Sequence, residues 1–146
     1  MIESVAEETI DDVLPLIRAY LEFYKVADIC DSRNKKFFSQ FGITNPAGCQ
    51  FVFREAGIVI GFATVYFSFT SSITAKVAVL NDLYISPDHR NKGIGRQLIE
   101  HCHRYASEKG AARLQWVTAP DNEPAQKLYD SMPTGKSSWQ FYTYNT

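Results

Sequence analysis

Three cationic side chains and two glycines fall within one stretch of seven residues, Arg90-Asn91-Lys92-Gly93-Ile94-Gly95-Arg96. The apolar run Ala75–Ile85 before it reads as a strand that Pro87 ends. After it, Ile94, Leu98, Ile99, Cys102 and Ala106 recur at helical spacing, and Lys109-Gly110 closes that helix. The stretch is therefore a loop that opens a helix. Several backbone N–H groups at a helix start lack internal partners, and the helix dipole adds partial positive charge there. Glycines let a ligand approach the main chain closely, so the stretch is suited to a phosphate, although helix-entry glycines also occur for packing alone. Two phosphate loops can be tested directly. A P-loop needs GxxxxGK[ST], and a dinucleotide fingerprint needs GxGxxG with an acidic residue about 20 positions on. Neither pattern is present: the third glycine position is Leu98.

Other reactive side chains carry less. His101 and His103 are two apart on a helix and so point about 200° away from each other, which does not suit a shared metal ion. The three cysteines, Cys30, Cys49 and Cys102, form no CxxC pair and are odd in number. Cys30 and Cys49 read as small apolar residues, and the set fits a reducing cytoplasm better than a disulfide framework.

The frame around these residues is one domain, 1–146. The chain has 45% hydrophobic and 21% charged residues, with ten Phe and eight Tyr, as expected of a globular chain with a sheet-containing core. Its net charge of −1 argues against a uniformly basic nucleic-acid binder. The acidic N-terminus has no apolar signal-peptide core, and no run of about 18 apolar residues predicts a membrane span. Ile2–Val5 reads as an edge strand. Thr9 offers a cap to a helix carrying Ile10, Val13, Leu14, Ile17, Leu21 and Tyr24, which Pro15 should kink or delay. A short helix spans Asp31–Phe41. Gln50–Glu55 and Ile58–Ser68 flank Ala56-Gly57 as a tight hairpin. Leu114–Thr118 is an apolar strand, Asn122-Glu123-Pro124 starts a helix through Tyr129, and Trp139–Tyr144 is a closing strand. The class is α+β, with antiparallel hairpins followed by crossover units.

With those elements in place, Leu80–Ala106 resembles the acyl-CoA-binding motif of the GNAT superfamily of N-acetyltransferases. Asn122–Tyr129 resembles the family's Asn-x-x-Ala-x-x-x-Tyr helix, and Gly61-Phe62-Ala63 fits its preceding hairpin. The resemblance covers nearly the whole chain, with some likeness to the diamine acetyltransferase branch. It implies a mixed, mostly antiparallel central sheet flanked by helices and splayed at an acyl-CoA cleft. The diphosphate of acetyl-CoA would rest on the amides of Asn91–Arg96, where most relatives carry Gly in place of Asn91, with Arg90, Lys92 and Arg96 adding charge around Gly93, Ile94 and Gly95. Backbone groups along Leu83-Tyr84-Ile85 would bond the pantetheine arm and offer an oxyanion donor. Asn122 would hold the end of the arm, and Ala125 would leave room for it.

The implied chemistry is direct attack of a primary amine on the thioester, with no metal. An alkyl amine of pKa ~10.4 is neutral about once in 2,500 molecules at pH 7, a shortfall of roughly 4–5 kcal/mol, so a base is worthwhile. Many relatives carry Glu on the motif strand where this chain has Asn81-Asp82. Asp82 could take the proton, whereas Asn81 could not, and in a regular strand only one of the two faces the cleft. Tyr129 matches the family tyrosine that protonates the departing thiolate. Positions where diamine acetyltransferases hold acidic groups fall near Tyr24 and on Asn81, so the expected acceptor is a small amine rather than a polyamine, with Tyr24 and Asn81 lining its site. Tyr20, Asn34, Tyr66, Trp116 and Trp139 are further candidate linings that could equally serve packing. Cysteine usage, charge and the lack of a long apolar run give the expectation of a cytoplasmic enzyme without nucleic-acid or membrane partners, and dimers are common among similar proteins. A non-catalytic acyl-CoA-binding module and a protein or peptide N-acetyltransferase are the alternatives.

Overall fold

Residues 48–85 fold as three long antiparallel strands, and the runs 48–53 and 59–65 are buried on both faces, as expected of strands covered on each side. A computed structural model describes all 146 residues. The elements of its first compact unit, Met1–Trp116, are β1 (Ile2–Ser4), α1 (Ile10–Phe23), α2 (Asp31–Phe38), β2 (Gly48–Glu55), β3 (Ile58–Thr70), β4 (Ala75–Ile85), a 3-10 turn (Pro87–His89), α3 (Ile94–Glu108) and β5 (Leu114–Gln115). The sheet order is β1-β2-β3-β4-β5. All pairs are antiparallel except β4 with β5, which is parallel. The expected α+β class with a mixed, mostly antiparallel sheet is the observed one. No helix is long and apolar enough to cross a membrane.

The β2–β3 turn is the expected Ala56-Gly57 pair, both at positive φ (50° and 79°), the twist that a two-residue hairpin requires. Helices α1 and α3 cover opposite faces of the sheet. On one face Val13 and Ile17 of α1 pack with Val52, Phe62 and Tyr84. Full burial of each aliphatic side chain contributes about 1.5–3 kcal/mol. On the other face Phe51 meets the rings of His101 and Tyr105 of α3 at 4.6 and 5.0 Å.

Several local expectations are corrected. Thr9 precedes α1 but does not cap its first amides. Its hydroxyl accepts from Ala6 N (2.9 Å) and so pins the entering chain instead. Pro15 does not delay α1, which runs through it from Ile10 to Phe23. Helix α2 ends at Phe38 rather than Phe41. Of the two cysteines read as small apolar residues, Cys49 is fully buried, whereas Cys30 is a half-exposed N-cap residue of α2 whose Sγ lies 3.2 Å from Ser32 Oγ. The β5 strand is two residues long, because its ladder with β4 stops after Val79↔Gln115.

The second unit, Val117–Thr146, contains α4 (Glu123–Asp130). Asn122 is its N-cap, accepting from Ala125 N at 3.4 Å, and Pro124 stands in its first turn as expected. The expected closing strand at Trp139–Tyr144 is absent, and Trp139, Phe141, Tyr142 and Tyr144 are 86–96% exposed. Aromatic β propensity makes no strand without a paired neighbour.

The hairpin also depends on close backbone contact at Gly48, where a Cβ would collide with the Val65 carbonyl oxygen and come within 3.1 Å of Tyr66 Cα. Gly48→Ala is expected to lower the unfolding free energy by about 2 kcal/mol or more, read from equilibrium urea denaturation.

Candidate active site

One edge of β4 is the starting point. Its β3 side is paired along the whole strand; on the other side β5 pairs at Ala78 and Val79 and Ala112 N donates to Lys76 O (2.9 Å), while no strand pairs with the length from Asn81 to Ile85. Ser86 N donates to Ile60 O at 2.8 Å, which makes the adjacent Gly61↔Ile85 pair a non-hydrogen-bonded one. The N–H and C=O of Ile85, and by alternation those of Leu83, therefore point away from β3 toward the open edge. The carbonyl of Ile85 accepts from Arg90 Nε at 2.9 Å. The edge is thus a strip of main-chain donors and acceptors that an extended ligand with amides of its own can pair with.

The strip leads into the loop. Asn91 (φ 62°) and Gly93 (φ 79°) both adopt left-handed backbone, and Gly93 is the N-cap of α3. Having no side chain, this cap satisfies none of the first amides, and the first turn holds no acidic residue. None of the amides from Asn91 to Gly95 donates to a main-chain carbonyl; the first such donation is from Gln97 to Gly93 O, at 3.1 Å. Two left-handed residues and an uncapped helix start turn consecutive amides to one side, which is anion-binding geometry. Lys92 is exposed beside them. Arg90 is turned back over β4, its guanidinium 5.3 Å from the centre of the Tyr84 ring, while Ile94 is buried against the fold and Gly95 and Arg96 are half-buried.

Which member of Asn81-Asp82 faces inward is decided by a bulge. The β3–β4 register runs Thr64↔Asp82 and then Val65↔Leu80, leaving Asn81 as an extra residue. Without it, Asn81 would occupy the α1 face and Asp82 the opposite one. With it, Asn81 is exposed and Asp82 stands 7% exposed on the α1 face, two positions from Tyr84. A bulge of this kind re-aims a side chain at the expense of one ladder position. Asp82 Oδ1 accepts from Asn81 Nδ2 at 3.1 Å, while Oδ2 has no partner at hydrogen-bonding distance. Burial raises the carboxyl pKa above its ordinary value, and the nearby Thr64 and Tyr20 hydroxyls and the Asn81 amide pull it back in part. Tyr20 bridges this carboxyl to an aromatic group at the end of α1: its ring lies 5.8 Å from Tyr84, 5.5 Å from Phe62 and 4.9 Å from Tyr24, and Phe23 lies 6.5 Å from Tyr84.

The first unit thus brings Asp82, Asn81, Tyr84 and Arg90 together, with Tyr24 at the rim of the same aromatic group. Tyr66 packs on Phe41 (5.0 Å). Asn122, Ala125 and Tyr129 lie on or at the start of α4 in the second unit. The Asn122 side-chain oxygen is engaged in capping, and Tyr129 is half-buried. Burial pushes the Cys49 thiol up to about 12 and raises that of Cys102, which removes both as nucleophiles at neutral pH. Thr64 and Gln50 were not legible as site residues. Only the register across three strands brings them to Asp82.

Comparison with known proteins agrees with this geometry. The family model described as "Acetyltransferase (GNAT) family" matches residues 13–132. The chain is 32% identical over 118 residues to the uncharacterized N-acetyltransferase YhfO of Bacillus subtilis (strain 168), covering 81% of this chain and 78% of that one. It is 28% identical over 140 residues to the thialysine N-epsilon-acetyltransferase of Bos taurus, covering 90% and 82%. Among solved structures, a probable acetyltransferase superposes with TM-score 0.85 at 27% identity, covering 100% of this chain and 97% of that one. An aminoglycoside N-acetyltransferase, AAC(6')-Iy in complex with CoA, shares the fold with TM-score 0.83 at 16% identity, covering 99% and 93%.

A buried carboxylate of this kind weakens the fold. Because the folded pKa of Asp82 is raised, the stabilising contribution belongs to the protonated form. It is complete below the unfolded pKa and is lost as pH rises through the folded pKa. Asp82→Asn, neutral at every pH, is therefore expected to be more stable than the parent at pH 7, with the difference closing as pH is lowered through the folded pKa. Thermal or urea unfolding across pH reads this directly.

Proposed function

The chain belongs to the GNAT acetyltransferase family, and from that premise we propose that it transfers the acetyl group of acetyl-CoA to a primary amine of a small molecule by direct attack. The observation that carries this reading is the continuity of the open β4 edge with the uncapped start of α3. An extended arm bearing amides pairs with Leu83 and Ile85, and its diphosphate meets the amides of Asn91–Arg96 beside Lys92. Family members bind CoA, and the AAC(6')-Iy neighbour holds it. The two compact units act in this reading as one functional domain.

In the transfer, the amine nitrogen forms its bond to the thioester carbon, and the tetrahedral intermediate then expels the thiolate. Asp82 takes the proton of the attacking nitrogen on Oδ2, the oxygen without a partner. A main-chain N–H of the β4 edge stabilises the oxyanion. On the likeness of α4 to the family helix, Tyr129 is assigned proton donation to the departing sulfur. Tyr20, Phe23, Tyr24 and Tyr84 supply apolar ring surface for the carbon frame of the acceptor. One buried carboxylate among several rings suits a monoamine better than a polycation. The bovine relative and the AAC(6')-Iy neighbour are named for the amines of thialysine and of aminoglycosides, which supports a small amine-bearing acceptor.

Calorimetry with CoA and thiol release from acetyl-CoA across an amine panel test the reading. CoA is expected to bind, and Gly93→Val, which forces a branched side chain onto φ 79°, to weaken that binding roughly tenfold. Asp82→Asn and Tyr129→Phe are each expected to cut turnover at least tenfold. Tight CoA binding without turnover of any amine would instead indicate a binding module. Peptides outperforming every free amine would indicate a protein or peptide acceptor.

A further inference from the structure

Three polar side chains stand in one buried row across the α1 face of the sheet. Gln50 on β2, Thr64 on β3 and Asp82 on β4 are successive cross-strand partners, 0%, 0% and 7% exposed. Val52, Phe62 and Tyr84 form the next row. Polar groups at these positions cost stability that aliphatic residues there would not, so their presence needs a reason beyond packing.

The row has a direction. Gln50 Nε2 donates to Thr64 Oγ1 at 3.2 Å. Thr64 thereby receives its hydrogen bond from the Gln50 side and has its own proton left for the Asp82 side. The far end is anchored through the main chain: Gln50 O accepts from Val5 N (2.8 Å), and Gln50 N donates to Phe41 O (2.9 Å). Building on the reading of Asp82 as the base, we propose that Gln50 and Thr64 are positioning residues, a buried relay that orients the Asp82 carboxylate and favours its ionised form for proton acceptance. The other groups facing this carboxylate are Asn81 on β4 and the phenols of Tyr20 on α1 and Tyr66 on β3. Burial raises the Tyr66 phenol above its ordinary value, so it stays protonated through the range in which a carboxylate titrates.

The sign follows from the donors. Loss of the Thr64 hydroxyl removes a group that favours the carboxylate and leaves burial opposed only by Tyr20 and Asn81, so the Asp82 pKa rises. Thr64→Val keeps the side-chain shape. In this variant the acid limb of the kcat/KM–pH profile is expected to move up by about 0.5–1 pH unit, a roughly three- to tenfold loss on the limb. Thr64→Ser should return the limb to its original place, and Gln50→Leu should give a smaller upward shift. The Asp82 carboxyl is also titrated by carbon-13 NMR in the parent, Thr64→Val and Thr64→Ser proteins, which reads the relay without turnover. A Thr64→Val protein in which both the NMR titration and the acid limb stay in place overturns the relay. A shifted NMR titration with an acid limb that does not follow, together with an Asp82→Asn protein of undiminished turnover, refutes the base assignment and with it the catalytic purpose of the relay.

Discussion

The site depends on an unequal division of labour along β4. Its hydrogen bonds to β3 run the length of the strand, so its position is fixed by the core of the sheet. Its other side is committed only in its first half, to β5 at Ala78 and Val79 and to Ala112 N at Lys76 O. A strand bonded on one side and open on the other is usually an edge that proteins cover or blunt. Here the open length ends in a loop whose amides are also uncommitted, between Asn91 and Gly95. The two sets of unsatisfied donors lie in chain order, Leu83 and Ile85 first and the helix start next. One extended ligand ending in an anion can satisfy both.

The bulge at Asn81 gives that scaffold its polarity. It leaves the strand's rigid pairing intact on either side and inverts the facing of every residue beyond it, so Leu80 packs on the α3 side while Asp82 and Tyr84 look toward α1. The carboxyl and the aromatic group consequently share one face, and the Arg90 guanidinium, stacked on Tyr84 and bonded to Ile85 O, ties that face to the loop.

Much of this was legible in the sequence, and what was not has a physical cause. The limits of β4, the Ala56-Gly57 turn and the start of α3 follow from local chemistry: apolar runs, positive-φ residues and glycine caps. The parity of Asn81-Asp82 does not, because a bulge is decided by the partner strand. A second bulge matters as much. Counting back from Ala56-Gly57 in strict register pairs Gln50 with Ala63, but the shift at Phe53/Arg54 pairs it with Thr64. The polar row therefore exists only because two irregularities fall where they do, and no periodicity read along one strand contains it. The short β5 and the unpaired Trp139–Tyr144 segment differ from expectation for a related reason, since residue type supplies propensity for a strand and pairing alone makes one.

Placing Asp82, the proposed base, on a buried face would solve a problem of matched affinities. A free aspartate near pKa ~3.9 and an alkyl ammonium near ~10.4 are about 6.5 units apart, or roughly 9 kcal/mol for direct proton transfer. An exposed carboxylate would leave most of that gap in place. Burial acts on both partners in the direction needed. It raises the carboxyl and, for an ammonium brought against Tyr20, Phe23 and Tyr84, favours the neutral amine. Burial alone would overshoot, because a carboxyl kept protonated by desolvation accepts nothing. The donors around Asp82 restrain that tendency, and Asn81 does so by the same bulge that turned the carboxylate inward. The apolar face and the polar row crossing it thus oppose each other, and the balance between them sets how strong a base the site can hold while keeping it charged.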